Sequence, residues 1–345
     1  MVGMTTWYCS PAARTWTGPA APGDDAHAFH RSLPGYAPTP LIAAPGLATE
    51  LGVGRVWVKD ESSRLGLPAF KVLGASWACC RVLAQRAGAR LVTATDGNHG
   101  RAVARMAAHF RVAATVFVPA VMAAETAALI AREGATVVWV DGDYDAAVRR
   151  AAGFAAERPD RALVQDTAWT GYEQVPAWIV EGYRTLLVEL DAQLGQPPDL
   201  VAVPAGVGSL AEAVVRHYRR PAVAHPRVLT VEPDTAACVL ASLTAGRPVT
   251  VSTAATVMAG LNCGTVSRSA WPVLHAGCDA AVAVSDDEAL RAADDLARLG
   301  IRSSPSGAAG LAGVRAALTD PRRRAGLGLA ADAVVVLLNT EGRPR

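Results

Sequence analysis

The chain has 345 residues, 51% of them hydrophobic and 19% charged, and its 33 basic and 31 acidic side chains leave a formal net charge of +2. A chain this long and apolar can bury a large core, which excludes wholesale disorder, and the charge balance excludes a whole-chain field for nucleic acid or an acidic membrane. No uncharged apolar stretch reaches the roughly 18 residues of a membrane span.

The opening MVGMTTWYCSPAARTW lacks a basic region followed by an apolar one, so no signal peptide is read and a cytoplasmic protein is expected. Residues 1–40 are rich in Pro, Gly and Ala and read as an arm over the core or a partner subunit. LGVG (51–54) reads as a turn and VWVKD (56–60) as a strand. A helix runs from about Lys71 to Ala87, ended by Gly88. LVTAT (91–95) is a strand, followed by a helix over 99–110. ATVFVP (114–119) is a strand, then a helix over 123–134. TVVWV (136–140) is a strand, then a helix over 145–158, and ALVQD (162–166) is a further strand. A long helix spans about 175–194. LVAVP (200–204) leads through a glycine loop into a helix at about 209–220, and VLTVEP (228–233) is a strand. Ser285 and Glu288 form a capping box that opens a helix ended by Gly300. A helix at about 306–318 precedes the strand AVVVLLN (333–339).

This alternation of Val-rich strands with helices predicts an α/β protein with two open, mainly parallel twisted sheets flanked by helices. The run from about 90 to 166 suits a small sheet of its own. The expected division is a discontinuous large domain of residues 1–74 and 169–345, with its N-terminal arm, and a small inserted domain of 75–168. A cleft between the two is a natural ligand site. The six cysteines (9, 79, 80, 238, 263 and 278) show no C-x-x-C spacing and read as reduced, mostly buried residues. No metal site is expected.

Ligands in parallel sheets bind at the carboxyl ends of strands, and four segments stand out there. Lys71 follows Phe70 at a loop-to-helix junction in an apolar stretch. That placement suits a surface lysine or, in an apolar pocket, Schiff-base chemistry. TATDGNHGRAVA (93–104) brings Thr95, Asp96, Gly97, Asn98 and His99 to a turn that opens a helix. It reads as an ordinary capped turn or an anion site, with Asp96 a candidate acid or base. Gly206, Val207, Gly208, Ser209 and Leu210 form a loop whose N–H groups could cradle a phosphate, although G-x-G-S alone is a weak signal. Asn339 and Thr340 end a buried strand and either meet a ligand or stop the strand. Together the four segments suit pyridoxal phosphate: a lysine for its aldehyde, a cradle for its phosphate, Asn98 for its ring oxygen and a polar strand end for its ring nitrogen.

Several longer stretches carry a resemblance. They are FHRSLPGYAPTPL (29–41), the 56–76 segment, TATDGNHGRAVA, QDTAWTGYEQVPAWIVEGYRT (165–185), AGVGSL (205–210), VEP (231–233), TVMAGLNCG (256–264) and NTEG (339–342). On them the chain resembles the diaminopropionate ammonia-lyase family, within the tryptophan-synthase-β-like fold of pyridoxal-phosphate enzymes (fold type II). The resemblance implies elimination of ammonia from 2,3-diaminopropionate, of the L form and potentially the D form. Pyruvate and ammonia would form by way of aminoacrylate.

It also implies roles. Lys71 would carry the cofactor and act as base at Cα. Phe70 would line the cofactor site, Asn98 would bond the ring oxygen, and residues 206–210 would hold the phosphate. Asn339 or Thr340 would face the ring nitrogen. Asp96 would take the Cα proton of the D-enantiomer and Asp166 would bind the substrate amine, with Thr95, Gly97 and His99 lining the substrate site. A small amino-acid substrate and a homodimer are expected, with no nucleic-acid or membrane partner.

The chain departs from the family pattern at Pro68, where Asn is usual, and at Ser304–Pro305, where Gly-Glu precedes Ser-Gly-Ala. Asn339 replaces a small hydroxyl residue, and the sequence stops at Arg345 where the family continues. A carboxylate near the cofactor ring is therefore expected to be absent. Alternatives are a serine/threonine-type dehydratase, a β-replacement synthase on another β-substituted alanine, or a non-catalytic relative that binds the cofactor.

Overall fold

The structure, a computed structural model, describes residues 6–19, 23–221 and 225–343. Parts of the predicted arm (1–5 and 20–22) and the end of the chain at Arg345 lie outside the described residues.

Two sheets form. The smaller contains β4 (Arg90–Ala94), β5 (Ala114–Pro119), β6 (Thr136–Val140) and β7 (Arg161–Leu163), all parallel, in the order β6-β5-β4-β7. The larger has seven strands. Its parallel centre is β3 (Arg55–Asp60), β8 (Leu200–Pro204), β9 (Arg227–Pro233), β10 (Ala280–Val284) and β11 (Val334–Asn339). Short antiparallel strands, β1 (Trp7–Cys9) and β2 (Leu41–Ala43), close its two edges, giving β1-β10-β9-β8-β11-β3-β2. The expected α/β class with two mainly parallel sheets is what forms. The central strands are buried along their whole length, which is why their sequences read as runs of Val, Leu and Ala rather than as alternation.

The arm is more than a surface strap. β1 joins the large sheet, and the helix Asp25–Ser32 places His30 fully inside the core. The LGVG turn is the left-handed end of the helix Pro45–Leu51. The capping box at Ser285–Glu288 forms with both of its hydrogen bonds.

A buried ion cluster fixes the loop that leads to Lys71. Lys59 Nζ donates to Glu189 Oε2 at 2.9 Å, and Arg64 donates to Glu189 Oε1 at 2.6 Å and to Glu61 Oε1 at 2.6 Å. All four side chains are buried. They tie the loop after β3 to the helix Gln174–Leu194, which also packs on the helix Lys71–Gln85.

Candidate active site

Lys71 is the first residue of its helix and lines a cavity of about 240 Å³. The cavity walls are the carboxyl ends of β4 and β8, the strand end at Thr340–Glu341 and the loop 259–263. Of the residues singled out from sequence, Phe70, Lys71, Thr95, Asp96, Gly97, Asn98, His99 and Asp166 all line it. So do Gly206, Val207, Gly208, Ser209, Leu210 and Thr340. Segments that lie far apart in the chain therefore converge on one space.

Lys71 Nζ donates to Asp166 Oδ2 at 2.5 Å. Burial alone would push the lysine pKa down, but the Asp166 carboxylate reverses this and raises it, while the lysine holds Asp166 well below the usual carboxylate range. The two form an ion pair.

Asp96 faces the same space. Enclosure by the cleft walls, and then the Asp166 charge, push its carboxyl up to about 7, although water still reaches part of the residue. Thr95 braces the turn by accepting from the Gly97 and Gly100 N–H groups, each at 2.9 Å. His99 bonds the Val164 carbonyl through Nε2 at 2.8 Å. Its buried Nδ1 has no hydrogen-bond partner among the described residues and lies 3.9 Å from Asp166 Oδ2. Burial lowers its pKa, which favours the neutral ring.

The glycine loop sits opposite. Gly208 has φ +92°, and a Cβ there would meet Leu274 Cδ1 at 2.9 Å. A Cβ on Gly206 would meet Cys263 Sγ at 3.0 Å. Glycine is thus required for the backbone to run this closely past the cavity. The helix Ser209–Tyr218 starts here and leaves its first N–H groups free of intrahelical partners, which suits an anion. Ser209 Oγ donates to the Asp166 carbonyl at 2.8 Å and locks the loop to the segment that carries the Lys71 partner carboxylate. A cradle with glycine at 206 and 208, across a cavity from a lysine, fits pyridoxal phosphate, for which Lys71 would hold the aldehyde and residues 206–210 the phosphate.

Asn339 lies behind this space. Its Nδ2 donates to Asp60 Oδ1 at 2.7 Å and its Oδ1 accepts from Ser303 Oγ at 2.7 Å, so both ends of the amide are occupied away from the cavity.

The expected absence of a carboxylate beside Ser304 is corrected. Glu341 lines the cavity and accepts from Ser304 Oγ at 2.5 Å and from Asn98 Nδ2 at 2.5 Å. The acid arrives from the strand end rather than from the 303–310 segment. NTEG contained it, but only the folded chain shows which of its residues turns inward.

Tyr144 was also not singled out. It lines the cavity, accepts from Gln165 Nε2 at 2.8 Å and reaches Asp166 Oδ1 at 3.5 Å. Its signal was its position just beyond the carboxyl end of β6. A wider adjoining cavity of about 1070 Å³ shares Asp96, Tyr144 and Cys263 with the first.

Residues 32–341 match the family described as "Pyridoxal-phosphate dependent enzyme". The chain is 35% identical to the diaminopropionate ammonia-lyase of Escherichia coli (strain K12), over 92% of this chain and 87% of that protein. It is 37% identical to the enzyme of the same name from Salmonella typhimurium, over 76% and 72%. The crystal structure of the Escherichia coli diaminopropionate ammonia lyase in complex with an aminoacrylate-PLP azomethine reaction intermediate superposes with TM-score 0.84 at 33% identity, covering 97% of this chain and 91% of that one. With the geometry and these likenesses in agreement, the chain belongs to the pyridoxal-phosphate-dependent enzymes of fold type II, and among them to the diaminopropionate ammonia-lyase family.

Proposed function

We propose that this chain eliminates ammonia from 2,3-diaminopropionate, of both the L and the D form, giving pyruvate and ammonia. The observation that carries the reading is the placement of two carboxylates, Asp96 and Asp166, around one lysine in one cavity. Diaminopropionate brings one more ammonium than serine or threonine does, and a pair of carboxylates offsets that charge. Serine and threonine, the substrates of a dehydratase, bring no second ammonium for such a pair to offset.

When bound, pyridoxal phosphate supplies the electron sink that stabilises negative charge at Cα. The residues do the rest. Residues 206–210 would hold the phosphate, Phe70 and Asn98 would flank the ring, and Thr340, at the strand end, would face the ring nitrogen, with Asn339 supporting it from behind. Asp166 receives the substrate ammonium. In doing so it gives up Lys71 Nζ, which the reacting substrate amine would displace from the cofactor's aldehyde as a neutral amine and which could then take the Cα proton of the L form. Asp96, with its carboxyl near 7, takes the Cα proton of the D form. The β-amino group, brought in as an ammonium, would depart as neutral ammonia, taking the Cβ–N pair with it as the Cα pair forms the Cα–Cβ double bond. Released aminoacrylate hydrolyses to pyruvate and a second ammonia. Thr95, Gly97 and His99 shape the substrate side of the cavity.

We place the enzyme in the cytoplasm as a homodimer. The free state of all six cysteines supports the first, and the family likeness supports the second. No helix among the described residues is long and apolar enough to cross a membrane. The four-stranded sheet, confined to residues 90–163, supports an inserted small domain of 75–168 within a large domain of 1–74 and 169–345.

The test is a pyruvate-coupled assay with L- and D-diaminopropionate, serine and threonine, on protein loaded with pyridoxal phosphate. Diaminopropionate should be turned over fastest. Lys71→Ala should lose the covalent link to the cofactor and at least about 100-fold in rate. Preference for serine or threonine, or a protein that takes up no cofactor, would overturn the assignment.

A further inference from the structure

Glu341 stands at a junction of the site that none of the roles above explains. It follows β11 and is tied by backbone to the segment that delivers Lys71. Ala69 and Glu341 form an antiparallel bridge, Phe70 N–H donates to the Thr340 carbonyl at 3.1 Å, and Gly342 N–H donates to the Pro68 carbonyl at 2.8 Å. Its carboxyl is gripped from two further directions. Ser304, at the N-cap of the helix Pro305–Leu318, donates to Oε1, and Asn98, the first residue of the helix Asn98–His109, donates to Oε2. Three elements of the site thus meet at one residue, two of them on its carboxyl group and one on the backbone around it.

Burial raises the Glu341 pKa, but each oxygen faces a donor, Ser304 Oγ at Oε1 and Asn98 Nδ2 at Oε2, and so both act as acceptors, as the oxygens of a carboxylate must. Facing one, the Asn98 carboxamide must present its NH₂ end and cannot turn to present its carbonyl. That NH₂ group carries a second hydrogen, and Asn98 itself lines the cavity. We infer that Glu341 is a positioning residue that locks the Asn98 amide so that an N–H, not a carbonyl oxygen, is offered to the cofactor's ring oxygen. A free amide could rotate and put its oxygen against the ring oxygen, where two acceptors repel. The inference rests on the proposal that Asn98 flanks the cofactor ring.

Two substitutions separate orientation from mere space filling. Glu341→Gln keeps an acceptor for Asn98 and can donate to Ser304, so it should hold the amide correctly. Glu341→Met keeps the bulk but removes the acceptor. Titration of each apo-protein with pyridoxal phosphate, followed by visible absorbance, gives a dissociation constant and the position of the bound-cofactor band. Glu341→Met should weaken cofactor binding about tenfold, the worth of one hydrogen bond, and shift the band. Glu341→Gln should stay within about threefold of wild type with the band in place. In the Asn98→Ala background, Glu341→Met should add nothing further.

Wild-type behaviour of Glu341→Met, equal damage from both substitutions, or multiplying effects of Glu341→Met and Asn98→Ala would overturn the positioning role while leaving the cofactor assignment intact. A wild-type protein that binds no pyridoxal phosphate would overturn both.

Discussion

At the residue scale, two titratable groups, one buried in the core and one facing the cavity, both favour higher pH, the first through stability and the second through rate. His30 lies fully inside the core, with Nδ1 2.7 Å from Thr185 Oγ1 and Nε2 2.9 Å from the Leu73 carbonyl. Burial lowers its pKa from the ordinary 6.5 to about 4. The unfolded chain therefore binds a proton at a pH where the folded one does not. Stability should fall as pH drops from about 6.5 to about 4 and should lose nothing more from this group below that. The loss is on the order of 3 kcal/mol. Urea unfolding of wild type and His30→Gln across this interval checks it, because the variant should show a smaller decline. Asp96 acts on rate instead. A base must be ionised, so kcat/KM for D-diaminopropionate should rise as pH climbs through about 7, the value to which enclosure pushes this carboxyl. Asp96→Asn should abolish the D activity and spare part of the L activity; equal loss of both would refute the division of labour. Most of the cavity residues were legible because they sit in compact strand-to-helix turns. Glu341 was not, and Asn339 was named though it lies behind the cavity, since which residue of NTEG points inward depends on the pairing of Asn339 with Asp60 across β11 and β3, and no local pattern states that register.

At the element scale, the long central strands and amphipathic helices were readable from periodicity, while the short pieces were not. Ala280–Val284 is mostly alanine, a weak strand former, and becomes β10 because β9 and β1 flank it. The helix Pro45–Leu51 was missed because its proline reads as a turn, though at the first helical position it costs nothing. The helix that carries Lys71 shows how tightly elements set the site. A Cβ on Gly182 would lie 2.6 Å from the Leu73 carbonyl, and one on Gly74 would lie 2.7 Å from Ile179 Cγ2. The two helices touch backbone to backbone. Gly182→Ala should therefore push the Lys71 helix outward, costing about 1–3 kcal/mol and lowering activity beyond what the stability loss explains. Thermal unfolding paired with kcat measured well below the melting point tests this.

At the scale of the whole molecule, the ion cluster of Lys59, Glu61, Arg64 and Glu189 joins the β3 loop to the helix Gln174–Leu194 across a large separation in sequence. Removing one charge strands the others in a dry interior. Glu189→Gln should cost about 3–5 kcal/mol, measurable as a lower denaturant midpoint. The division into two sheets was visible in the sequence, since one block of alternating strands and helices is contiguous. The strand order of the larger sheet was not, because β11, the last strand, enters its middle between β8 and β3. That placement bears on how the protein is made. The small sheet can form once residue 163 has left the ribosome, as all its strands lie before that point. The large sheet must wait, with the inner edges of β3 and β8 unpaired, until residues 334–339 emerge. During that interval the nascent chain has two open strand edges available for pairing with other chains. The glycine loop after β8 and the lysine after β3 acquire a shared wall only when β11 slots in. Cofactor capture is then a late event, open to chains that have made their final strand and closed to those that have not.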